Sequence, residues 1–137
     1  MITHMSHATI NVLDIDKAYD FYVTKLGFKV ATDFTMDNGF RWLTLHAPQD
    51  PKLEITLYIP MPGSMSEEGL AARKYLLENN LMGAGVFDCD DCQSTYEDMK
   101  ARGVEFLQPP TKQFYGTEAL FRDGCGNWFS MSERPKA

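Results

Sequence analysis

The side chains best equipped for chemistry are the titratable residues on the polar sides of alternating runs, His7, His46 and Glu54, and Cys89 and Cys92, separated by two aspartates. Histidine and carboxylate side chains can serve as general bases or as hydrogen-bonding partners of a ligand. Two thiols spaced in this way, between a strand and a helix, are also the pattern of redox centres and zinc clips. Three aromatic residues, Trp42, Tyr58 and Trp128, stand on the same polar sides, where their rings could stack on a planar ligand or simply pack.

The elements that must position these groups are written twice. HATINVLDIDKAYDFYVTKLGFKV, residues 7–30, lies over AGVFDCDDCQSTYEDMKARGVEF, residues 84–106. Asp14 falls on Asp91, where each carboxylate can cap the helix that follows. Tyr19 falls on Tyr96 and, with one deletion in the second copy, Gly27 on Gly103, a residue suited to ending a helix. The copies part at the strand start, where His7 faces Ala84. The same register sets Cys89 on Val12 and Cys92 on Ile15, both apolar core positions, so the cysteines read as small buried residues. The intervening aspartates would raise a thiol pKa, and no second cysteine pair is present to complete a zinc site.

Taken in order, the first module predicts a strand at 7–12, a helix over 15–26, a strand at 28–35, a turn at Asp37-Asn38-Gly39, and strands at 40–46 and 52–59. Ser66 followed by two glutamates starts a bridging helix over about 66–79, whose expected role is to cover or connect. The second module repeats the order, with strands at 82–88 and 104–107, a helix over 92–102, and a terminal hairpin of 117–122 and 127–132. Residues 108–116, with two prolines and Phe114-Tyr115-Gly116, read as a loop that could form a rim or lid. The fold class is α+β, two βαβββ modules, with module one at 1–60 and module two at 81–133 of a single domain spanning 1–137.

Period-two alternation then says which side chains share a face. If the helices take Ala8, Ile10, Val12, Leu43, Leu45, Leu53, Ile55 and Leu57, the other face carries His7, Thr9, Asn11, Trp42, Thr44, His46, Glu54, Thr56 and Tyr58. In module two the equivalent set is Ala84, Val86 and Asp88 with Trp128, Ser130 and Ser132. Mixed aromatic and polar lining is that of a ligand pocket.

Bulk properties narrow the partners. A chain of 137 residues, 44% hydrophobic and 23% charged, has the length and composition of one globular domain. Its net charge of −6, without a basic run, argues against nucleic acid and acidic membrane surfaces. The start MITHMSHATINV resembles no signal segment, no apolar run is long enough to span a bilayer, and an odd cysteine count is unlike a secreted disulfide framework. A cytoplasmic location is expected.

The duplicated unit, Phe21-Tyr22 with Leu26-Gly27-Phe28, DDCQSTYEDMKARGVEF and the ending FRDGCGNWFSMSE together resemble the vicinal oxygen chelate superfamily, which includes glyoxalase I, bleomycin-resistance proteins and extradiol dioxygenases. The resemblance implies two modules curled into a half-open sheet around a ligand cavity, and a homodimer. Enzymes of the family hold a divalent metal with residues at the first and last strands of each module, positions that read His7, Glu54, Ala84 and Ser130 here. Two of the four cannot ligate strongly, and catalytic zinc wants three protein donors. The expectation is therefore a small-molecule binder with no tight metal and no cofactor. His7 and Glu54 are the candidate catalytic pair, and His7, Asn11, Trp42, Glu54, Tyr58, Asp88, Tyr115, Trp128 and Ser130 the ligand contacts. The alternative is a metal-dependent lyase or isomerase of the glyoxalase I type; the dioxygenase pattern lacks its second histidine.

Overall fold

A computed structural model of the protein describes residues 1–135; the last two residues of the expected 1–137 span lie outside them. In chain order the elements are β1 (His7–Asn11), α1 (Ile15–Tyr19) continued by a π-helix (Asp20–Lys25), β2 (Lys29–Thr35), β3 (Arg41–Ala47) and β4 (Asp50–Tyr58). After α2 (Glu67–Glu78) come β5 (Met82–Asp88), α3 (Cys92–Ala101), β6 (Phe106–Gln113), β7 (Gly116–Arg122) and β8 (Asn127–Glu133). Two four-stranded sheets result, in the orders β1-β4-β3-β2 and β5-β8-β7-β6. In each, the first strand runs parallel to the last and the remaining pairs are antiparallel. The βαβββ order expected from the duplication is thus present twice.

The repeated aspartates do the same local work. Asp14 accepts from the backbone N–H of Lys17 at 3.1 Å, and Asp91 from that of Ser94 at 2.8 Å. Each satisfies a donor that a helix start leaves orphaned, worth roughly 1 kcal/mol. Ser66 caps α2 likewise, through Gly69.

Two elements differ from expectation. The first helix is α-helical only to Tyr19 and then widens, with Leu26 N–H reaching the Phe21 carbonyl at 3.0 Å. The wider turn lets consecutive residues Phe21 and Tyr22 both be buried, at 4% and 0% exposure. The second difference is the expected loop at 108–116, most of which is strand. β6 runs through Pro109 and Pro110, which a sheet tolerates here because β6 is an edge and its register with β7 shifts between Gln108 and Thr111, so the missing N–H groups fall where the ladder is already interrupted. The only turn left is at its tip, with Phe114 exposed.

The core draws on both modules. Ile10, Val12, Leu43, Leu45, Ile55 and Leu57 from the first sheet join Ala119, Phe121, Phe129 and Met131 from the second, with Ala18, Phe21, Tyr22, Cys92 and Met99 from the helices. Phe21 stacks on Phe121 with ring centroids 6.2 Å apart, and Tyr22 meets Phe129 edge-on at 6.3 Å. The polar centre of the seam is Asp123, fully buried. It accepts from Tyr22 Oη at 2.6 Å, from the Cys125 and Asn127 backbones at 2.7 and 3.0 Å, and from Asn127 Nδ2 at 2.8 Å. Asn127 Nδ2 also reaches the Asn11 carbonyl at 2.9 Å, so one amide ties β8 to β1.

Candidate functional site

Strand alternation turns the polar residues of module one away from this core. His7 pairs with Glu54 across β1 and β4, which places their side chains side by side on one face, with Nε2 3.5 Å from Oε2. Glu54 is held from below by Thr44, whose hydroxyl donates to Oε1 at 2.7 Å, and His7 Nδ1 meets Ser6 Oγ at 3.0 Å. Beside this pair is an open recess of about 620 Å³, lined by His7, Thr9, Asn11, Trp42, Tyr58 and Arg73, with Thr56 at its floor. Trp42 is 42% exposed and Thr56 is buried, so the aromatic wall stands in solvent while the base is closed. Tyr58 is steadied by donating to Ser64 at 3.0 Å.

The exposed face of module two has its own arrangement. Ser130 donates to Glu118 Oε2 at 2.6 Å and Tyr115 to Glu118 Oε1 at 2.7 Å, so one carboxylate gathers both hydroxyls. The Trp128 indole lies against Gly83, where an added Cβ would meet the ring at 2.8 Å. The register also departs from strict internal symmetry. Ser130 stands opposite Val86, not Ala84, and a bulge between Gly83 and Gly85 leaves Ala84 beside the Gly83↔Trp128 pair. Relative to the first strand, Trp128 rather than Ser130 takes the place that Glu54 holds in module one.

Of the residues expected to share a site, the structure brings His7, Asn11, Trp42 and Tyr58 to one recess with Glu54 at its side, and Tyr115 and Ser130 to one carboxylate. Asp88 joins neither group. It pairs with Arg134 at 3.3 Å and lines a separate cleft of about 320 Å³ between the modules, with Leu26, Phe28, Cys89 and Met99.

Sequence reasoning missed Glu118 and Arg73. Alternation of Glu118 with buried Ala119 could have flagged the first. Arg73 lies on the bridging helix, read as a connector, and nothing local shows that it reaches β1 to donate to Asn11 Oδ1 at 3.0 Å.

The cysteines are all free. Cys92 is buried, as expected of a core thiol, and so is Cys125 in its turn; Cys89, expected to be buried too, is only half-buried and lines the cleft. Burial pushes the thiols of Cys89 and Cys125 up to about 12, the opposite of redox activation.

Among the described residues no three His, Cys, Asp or Glu side chains are grouped to hold a metal. His7 and Glu54 are two donors, and Glu118 is already engaged by two hydroxyls. This donor set does not fit the divalent metal that the resemblance implies.

Two βαβββ modules on paired four-stranded sheets, each with a polar and aromatic face turned outward, define the class. The chain belongs to the Glyoxalase/Bleomycin resistance protein/Dioxygenase superfamily, whose model matches residues 4–131. It is 32% identical to YetH of Bacillus subtilis (strain 168) over 133 residues, 97% of this chain and 100% of that one. The crystal structure of UcmS2 superposes with a TM-score of 0.88 at 42% identity, covering 96% of this chain and 98% of that one. TnmS3, an antibiotic binding protein from Streptomyces sp. CB03234, superposes with a TM-score of 0.76 at 23% identity, covering 98% of each chain.

Proposed function

We propose that this protein is a small-molecule binder that takes a planar ligand on the exposed sheet faces, without a tightly held metal or other cofactor. The observation that carries the reading is the recess walled by Trp42 and Tyr58 over a polar base of Thr9, Asn11 and Thr56. Large apolar surface with a few placed polar groups is what such ligands need. The TnmS3 likeness is one of fold, and its antibiotic binding shows that this fold can house a ligand.

A recess open on one side calls for a second wall. In this reading a second copy supplies it, pairing the module-one face of one protomer with the module-two face of its partner. Trp42, Val86, Tyr115 and Trp128, exposed by 36–66% in the single chain, would then be covered. Free thiols suit a reducing cytoplasm.

Native mass spectrometry of protein purified without chelator tests ligand, metal and copy number together. The expected spectrum is a dimer that gains mass on adding a planar aromatic antibiotic and carries no stoichiometric divalent ion. One metal per chain, lost in His7→Ala, would overturn the metal-free binder reading and favour the lyase or isomerase alternative, for which the 3.5 Å His7–Glu54 pair is the supporting observation.

A further inference from the structure

We infer that the recess between β1, β3, β4 and α2 selects an aromatic ligand bearing an oxyanion, with Arg73 as the residue that sets this specificity; the inference rests on the reading of that recess as a ligand site. The chain has five arginines. Four are neutralised by carboxylates: Arg41 by Asp33 and Asp16, Arg102 by Asp98, Arg122 by Glu105, and Arg134 by Asp88. Arg73 meets no carboxylate among the described residues. Its contact is with a neutral amide oxygen, Asn11 Oδ1 at 3.0 Å, and it lines the recess. In a protein of net charge −6, where acids outnumber bases, an arginine kept clear of them beside an aromatic wall is placed for a charge from outside.

The surrounding groups point the same way. Because Asn11 Oδ1 accepts from Arg73, the other end of the amide is Nδ2, a donor. Thr9 and Thr56 add hydroxyls. The Glu54 carboxylate, which can only accept, is outside the lining of the recess, with Oε1 taken by Thr44 and Oε2 3.5 Å from His7 Nε2. The recess therefore offers donors, and a guanidinium binds a carboxylate or phenolate through paired charge-assisted hydrogen bonds. Its volume of about 620 Å³ lies within the range of drug-sized pockets.

A matched pair of probes, 2-naphthoate and 2-naphthamide, tests this by calorimetry on the full chain, since they share a ring system and differ in charge. Naphthoate should bind about tenfold more tightly, the difference between a charge-assisted and a neutral hydrogen bond. Arg73→Gln should bring that ratio to about one, and Arg73→Lys, which keeps the charge but not the fork, should restore part of it. Equal affinity for the two probes in the wild type, or an unchanged ratio in Arg73→Gln, overturns the inference while leaving the recess a binding site. If neither probe binds, or if both bind as well in Trp42→Ala, the recess is not the ligand site and both readings fall.

Discussion

Tyr22 and Asp123 bear more of the structure than their number suggests. One hydrogen bond of 2.6 Å joins the first helix of module one to the last turn of module two, and the same carboxylate holds that turn closed through Cys125 and Asn127. Tyr22→Phe keeps the ring contacts but leaves Asp123 a donor short, and should cost about 1.5–3 kcal/mol in chemical denaturation. A loss below about 0.5 kcal/mol would show that the backbone donors suffice. Titration follows from the same burial. Tyr22 is held well above 10.0 by its burial and by Asp123, and the thiols of Cys89 and Cys125 are raised by burial from 9.0 to about 12. Unfolded, these groups release protons at their ordinary values; folded, they keep them. The contribution of the two thiols is whole below about pH 9 and is lost as the pH climbs towards about 12, so the melting temperature should fall across that window. Cys125→Ala should make the fall shallower, and a flat profile from pH 9 to 11 would refute the assignment.

The elements act as fittings for these contacts. Helix α2 covers the Asp123–Asn127 turn: a Cβ on Gly126, whose φ is +100, would collide with the Leu77 backbone in the last turn of α2. Gly126→Ala should therefore cost at least about 2 kcal/mol, from strain and displacement together, and should loosen α2 first. Hydrogen exchange localises the effect. Unchanged protection of residues 70–78 would mean that the helix is held elsewhere. Because α2 also delivers Arg73 to the recess, this packing couples the end of module two to the candidate site of module one.

On the scale of the whole molecule, one core receives side chains from both modules. Thermal unfolding should accordingly be a single transition by both fluorescence and far-UV circular dichroism, and its midpoint should rise with protein concentration if a second copy closes the faces. Separate midpoints for the two probes would mean that the chain does not unfold as one cooperative unit.

The sequence by itself determined the modules. The repeated aspartate caps, the closing glycines and strict alternation act between neighbours along the chain, and so Asp14, Asp91 and the apolar faces of β1, β3 and β4 were legible without coordinates. Alternation put His7 and Glu54 on polar faces along with seven other residues, and it was the family resemblance that set those two together. What only the tertiary structure decided were contacts between residues far apart in sequence: Arg73 reaching Asn11 from the bridging helix, Asp123 receiving Tyr22, and the bulge at Ala84 that sets Ser130 against Val86. The expected loop at 108–116 failed for a related reason, since proline excludes a central strand but not an edge, and edges exist only once a sheet is assembled. Periodicity fixes which face a side chain takes; which groups meet across space depends on how the packed elements are offset, and that is set by a core to which both modules contribute.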